Sequence, residues 1–147
     1  MKTYSIKTKE VTREWYVLDA AEAPLGRLST LAASLLIGKG KPTLSKHIDG
    51  GDYVIVINAD KLVVTGGKTE KKVYYRHSGF PGGIKSRTLK EQQTKDSTRV
   101  IYTAIRGMLP VNKLRSERLA RLKIYDGDQH AHSGQNPKNL SLKKEGK

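Results

Sequence analysis

The sequence predicts an α/β layered fold with a mainly parallel sheet. Three observations carry this. Short β-forming runs alternate along the chain with segments of helical period. One run, YVIVI at residues 53–57, is continuously apolar, which marks a strand covered on both faces, as in a parallel sheet flanked by helices. The longest helical stripe, Val100, Ile101, Ala104, Ile105, Met108 and Leu109, follows the 3.6-residue period.

Residues 1–13 are polar and basic without a sustained period, and read as an N-terminal arm. WYVLDA at 15–20 is a first strand. Pro24 suits a first helical turn. Leu25, Leu28, Ala32, Leu35 and Leu36 follow at helical spacing, and Gly38 and Gly40 end that helix. After the second strand at 53–57, residues 62–65 form a short extended piece and Gly66-Gly67 a turn. Residues 73–76 are a strand, and 77–87 read as a glycine-rich basic loop. Thr88 and Glu91 make a capping box that opens a helix, and Asp96 or Ser97 caps the next. Pro110 stops it. A short helix at 115–121 leads into a last strand, LKIY, at 122–125. Residues 128–147 are polar and read as an extended C-terminal tail ending in Lys143, Lys144 and Lys147.

The 147 residues suit one domain, large enough to bury a core unaided. With no cysteine, the chain holds neither a disulfide framework nor a thiolate metal site. No apolar run of about 18 residues predicts a membrane span, and the N-terminus lacks the apolar core of a secretion signal, so a cytosolic protein without a membrane partner is expected. The formal charge of +14 is unevenly spread. Residues 1–60 carry 8 Lys/Arg against 7 Asp/Glu, and residues 61–147 carry 20 against 7. Such asymmetry predicts a polyanionic partner, nucleic acid before anything else, met mainly by the C-terminal part.

Catalytic and cofactor motifs fail on inspection. Gly67-Lys68-Thr69 resembles the end of a phosphate-binding loop, but Leu62 stands where the motif needs glycine, and a strand rather than a helix is expected next. Gly38-Lys39-Gly40-Lys41 is followed by Pro42, not the hydroxyl residue that would hold magnesium. His130 and His132 near Asp128 lie in a polar tail without the supporting partners metal sites use, so no metal is expected. His47-Ile48-Asp49 reads as orienting a loop before the second strand. No nucleophile elbow or carboxylate pair follows an apolar strand. A nucleotide-using α/β enzyme and a general DNA-compacting protein are the competing classes. An enzyme, a cofactor or a small-molecule substrate is not expected.

The strongest local signal is RHSGFPGGIKSR at 76–87. Arg76, Lys85 and Arg87 supply charge for phosphates. Gly79, Gly82 and Gly83 allow close backbone approach. Phe80 offers a ring for base stacking. Pro81 and Gly82 suit the two central positions of a type II turn, which would project Phe80 outward. The competing reading makes Phe80, the only phenylalanine, a lid over the core. A second basic cluster, Lys113, Arg115, Arg118 and Arg121, in which Arg115 and Arg118, and likewise Arg118 and Arg121, share a helix face at i, i+3, is the next candidate for phosphates, against the reading of a merely solvated face.

These residues resemble a known family, the bacterial large-subunit ribosomal protein thirteen family (the universal L-thirteen family), over residues 15–137. The most specific stretches are HSGFPGG at 77–83 and RGMLP at 106–110. LGRL at 25–28, VIVINA at 54–59, KVYYRH at 72–77 and the order HAH…QNP at 130–137 support it. The resemblance implies a three-layer α/β/α fold with a four-stranded, mainly parallel sheet. It implies binding to large-subunit ribosomal RNA, a place among neighbouring large-subunit proteins, and a role in early assembly of that subunit. His77 and Ser78, within the 76–87 stretch, complete its candidate RNA-binding residues. The chain departs from the family pattern at Arg115, where glycine is usual nearby, at Lys46, where proline is frequent, and in its basic last residues.

Overall fold

The computed structural model describes residues 4–142. Strands β1 (Trp15–Asp19), β2 (Tyr53–Ile57), β5 (Leu122–Ile124) and β6 (Lys138–Asn139) form one sheet. Its order is β5-β2-β1-β6, and every neighbouring pair is parallel. A separate antiparallel ribbon pairs β3 (Val73–His77) with β4 (Ile84–Thr88). The α-helices are α1 (Leu25–Ile37), α2 (Lys68–Lys71), α3 (Leu89–Lys95), α4 (Ser97–Met108) and α5 (Arg115–Ala120).

Strand order explains the layering. The chain steps from β1 to β2 to β5 in one direction across the sheet. Right-handed crossovers then place both connections on one face. Accordingly α1 packs on α4, α4 on α3, and α5 against α1. Leu18, Val54 and Val56 of the sheet meet Leu28, Ala32 and Leu36 of α1 and Val100, Ile101 and Ile105 of α4 in one buried core. The return from β5 to β6, on the far side of β1, crosses the opposite face. Residues Trp15, Val17, Tyr53 and Ile55 alternate onto that face, and Val17 and Ile55 are buried. Trp15 stacks on Tyr53 with centroids 4.1 Å apart, and the returning segment brings His132 to 4.9 Å from Trp15. That segment contains one 3-10 turn, Ser133–Gln135.

Most expected ends are as read. Gly38 ends α1 in the left-handed region, φ +81°, with its N–H on Ser34 and Leu35 carbonyls. Thr88 and Glu91 form the reciprocal box at α3, and Asp96 rather than Ser97 caps α4 by accepting from the Arg99 N–H at 3.1 Å.

Four expectations change. Residues 62–65 form no strand, only a bridge between Val63 and Pro24. A one-turn helix follows Gly67 where a strand was expected, although Leu62 still breaks the phosphate-loop pattern. The segment read as a loop over 77–87 contains β4. The arm and tail are also more than extended polymer. Ile6 is buried, residues Thr8–Glu10 make a 3-10 turn, and the tail supplies β6. Lys143, Lys144 and Lys147 lie outside the described residues.

Candidate nucleic-acid interface

The β3–β4 ribbon gathers most of the candidate residues. Its base is anchored, with Val73, Tyr74, Arg87 and Thr88 half-buried. Tyr74 packs against the core, and burial pushes its phenol above the usual tyrosine range. Thr88 is tied down as the α3 cap. From Tyr75 to Ser86 the ribbon stands clear of the body, with only Gly83 half-buried.

The tip is a tight turn. The Gly83 N–H donates to the Phe80 carbonyl at 2.9 Å, and the Ser78 N–H to the Gly83 carbonyl at 3.0 Å. Gly82 has φ +70°, the left-handed value a type II turn needs after Pro81. Gly83 is fixed sterically, since a Cβ there would stand 2.0 Å from Ser78 Oγ. His77 is drawn into the turn by accepting the Gly79 N–H on Nδ1 at 2.9 Å. The ring of Phe80 is 75% exposed, so the core-lid reading is overturned.

Across the ribbon, Arg76 faces Lys85 directly. Like charges placed opposite on one face repel and weaken a ribbon. No carboxylate relieves them locally, because the sequence holds no Asp or Glu between Glu70 and Glu91, while Lys71, Lys72, Arg76, Lys85, Arg87 and Lys90 fall in that interval. Arg87 is partly committed, donating from Nη1 to Gln92 Oε1 at 3.1 Å. The reverse face of the ribbon carries Tyr75 and Ile84, 70% and 64% exposed. Neither was singled out from sequence. The signal was the period of two in KVYYRH, which turns one tyrosine to the core and its neighbour to solvent.

The second cluster divides. Lys113 is exposed. Arg115 is half-buried and donates from Nη2 to the Arg106 carbonyl, closing the last turn of α4. Arg118 and Arg121 correct the expectation, because their side chains are only 3% and 8% exposed. Arg121 grips Asp49 with both terminal nitrogens, one at 2.7 Å, and also reaches the Leu36 carbonyl at 3.0 Å. Arg118 Nε lies 3.6 Å from the same carboxylate. Arg13 holds the Asp49 carbonyl at 2.9 Å. Burial pushes the Asp49 carboxyl up, but hydrogen bonds from Arg121 and the charges of Arg121, Arg118 and Arg13 outweigh it and hold the group below its ordinary value. The helical spacing of these arginines was legible, whereas their carboxylate partner lies 72 residues from Arg121 in sequence. This cluster clamps the loop before β2, the role expected of residues 47–49.

Next to Asp49, Gly51 sits where a Cβ would come 1.8 Å from the Leu36 carbonyl, so the loop presses directly on α1. At the other end, His130 and His132 form an aromatic group with Tyr125 and Trp15. The His132 N–H points to His130 Nδ1 at 3.3 Å. Among the described residues, no three His, Cys, Asp or Glu are grouped to hold a metal, and no helix is long and apolar enough to cross a membrane.

The sequence profile of the family described as ribosomal protein L13 matches residues 13–131. The large ribosomal subunit protein uL13 of Neisseria gonorrhoeae is 54% identical over 143 residues, covering 97% of this chain and 100% of that one. The same protein from Roseiflexus sp. is 53% identical, and that from Kocuria rhizophila 51%, each over 138 residues and 94% of both chains.

Proposed function

The chain belongs to the ribosomal protein L13 family, and from that premise we propose that it binds large-subunit ribosomal RNA through the β3–β4 ribbon and acts early in assembly of that subunit. As a member of the family it is a structural, non-enzymatic protein of the large ribosomal subunit, working on the cytoplasmic ribosome. The observation that carries the RNA reading is the Arg76–Lys85 pair, two facing cations with no local carboxylate. Such a pair needs an anion between or beside its members, and RNA phosphates supply a regular array of them.

In this reading Arg76 and Lys85 neutralise phosphates, the Gly79, Gly82 and Gly83 backbone allows close approach, and Phe80 stacks on an unpaired base. His77 and Ser78 shape the tip. Arg87 and Lys113 add charge around it. Neighbouring large-subunit proteins complete the surroundings. The role in early assembly requires binding to RNA that no other protein has yet organised.

The test uses purified protein and deproteinised bacterial large-subunit ribosomal RNA. Affinity should fall by orders of magnitude between about 50 and 200 mM salt, and should exceed affinity for duplex DNA of equal length. A flat salt profile, or equal binding to DNA, would overturn the reading.

A further inference from the structure

Two Asp-Gly steps occur in the chain, Asp49-Gly50 and Asp126-Gly127. The backbone can rearrange unaided at such a step. The glycine nitrogen attacks the side-chain carboxyl carbon of the aspartate. A C–N bond forms, the C–OH bond breaks, and the hydroxyl leaves as water with the amide hydrogen. Water then reopens the five-membered imide. Where it adds at the former main-chain carbonyl, the chain afterwards runs through the side-chain carboxyl, as isoaspartate. Glycine allows the attack because no Cβ crowds its nitrogen. The reaction needs a carboxyl in its acid form, since a carboxylate is a poor electrophile. It also needs an amide that is not tied down.

The fold treats the two steps differently. Asp49 is buried, and both of its carboxylate oxygens are held by Arg121, with Arg118 beside them. These cations keep the carboxyl below its ordinary value, in the unreactive form. The main chain is pinned as well. Arg13 holds the Asp49 carbonyl, Lys41 holds the Gly50 carbonyl at 2.9 Å, and Gly51 is pressed against α1.

Asp126 and Gly127 are both exposed, in the turn after β5. Among the described residues no Lys or Arg pairs with the Asp126 carboxyl, and the Gly127 N–H has no acceptor. The Asp126 carboxyl meets Ser97 Oγ at 2.6 Å, and the same hydroxyl lies 2.8 Å from Asp60 Oδ1. One hydroxyl hydrogen serves one carboxylate at a time. Both contacts are hydrogen bonds when one of the two carboxyls carries a proton, the form that ring closure consumes. We propose that Asp126-Gly127 is a site of isoaspartate formation in the folded protein, and that the arginine clamp on Asp49 spares Asp49-Gly50. The rearranged turn gains a methylene in the main chain and a free carboxylate where the Asp126 carbonyl stood. That carbonyl and the Gly127 carbonyl accept the Asp60 and Asn58 N–H groups, at 3.4 and 2.8 Å. Isoaspartate therefore loosens the junction from which the chain returns to β6, and offers a substrate to a methyltransferase that recognises the isoaspartyl carboxyl.

The test ages the purified full chain at mildly acidic pH and at a temperature well below its melting point. An isoaspartyl methyltransferase then transfers labelled methyl groups from S-adenosylmethionine, and peptide mass spectrometry locates them. Label should accumulate at Asp126, with several-fold less at Asp49. In denaturant the two steps should take label at similar rates, because the clamp is gone. A Cβ on Gly127 would meet nothing within 4 Å, and its φ lies outside the left-handed region. Gly127→Ala should therefore keep the melting temperature while cutting the label at Asp126 several-fold. Equal labelling of both steps in the folded chain overturns the proposal. So does a difference that survives denaturant, which would assign it to neighbouring residues and not to the fold. Folded protein that gathers no label at Asp126, or a Gly127→Ala chain that folds alike and labels there as before, overturns it too.

Discussion

Arg76 and Lys85 occupy opposed positions on neighbouring strands of a ribbon that leaves the body of the protein. Their repulsion weakens the free protein, and an RNA ligand removes it. Stability and affinity therefore have opposite dependence on this pair.

Lys85→Glu turns the repulsion into attraction. It should stabilise the ribbon by about 0.2–1 kcal/mol, seen as slower amide hydrogen exchange at β3 and β4. It should also weaken RNA binding and lower the log–log salt slope by about 1–2. A more protected ribbon that binds RNA as tightly as before would contradict the assignment.

Phe80→Ala should remove about 1–3 kcal/mol of RNA affinity, the worth of one base–aromatic stack. The melting temperature should hardly move, because the ring is exposed. Gly82→Ala forces a Cβ into φ +70° and should strain the turn by about 1–2 kcal/mol. RNA titrations and thermal melts on the same samples separate the two effects. A large fall in melting temperature for Phe80→Ala with intact affinity would return Phe80 to a structural role.

Asp49→Asn leaves Arg118 and Arg121 buried without their carboxylate and should destabilise the fold by about 3–5 kcal/mol. The pH dependence has a definite sign. The folded carboxyl titrates below its ordinary value of 3.8. Its stabilisation is thus fully present above that value and is lost as pH falls through the lower folded value. In acid melts the parent chain should lose stability steeply below about pH 4, and the Asn variant, weaker at neutral pH, should lose less there. Parallel curves would show that Asp49 does not carry the effect.

A chain stopped after Gly127 lacks β6 and the histidines that meet Trp15 and Tyr125. The strand β1 then loses its partner along Tyr16 and Val17, and Trp15 loses the ring of His132. Trp15, the only tryptophan, reports this directly. Its emission should shift to the red and the melting temperature should fall. Unchanged spectra and melts would mean the segment is dispensable.

The parts of the fold that were legible in sequence are those where burial writes a period or a run. YVIVI announced a strand covered on both faces, and the stripe from Val100 to Leu109 announced α4. The strand β6 left no such mark. It is two polar residues at a sheet edge, exposed on both sides and held by pairing with Tyr16 and Val17. The strand β4 was hidden for a related reason, since IKSRT buries almost nothing and follows a glycine-rich turn. Within the candidate site, local geometry was readable where proline and glycine dictate it, at Pro81-Gly82. Charge alone could not separate Lys113, which faces solvent, from Arg118 and Arg121, which face a distant aspartate.

The position of β6 also fixes an order of events during synthesis. The strand β1 gains one neighbour when residues 53–57 have emerged, but its other edge waits for Lys138 and Asn139. At about 5–20 residues per second, the roughly 80 residues between take some 4–16 seconds to add. For that interval the nascent chain has a half-built sheet with an open edge at β1. The strand that closes this edge emerges after every other strand of the sheet.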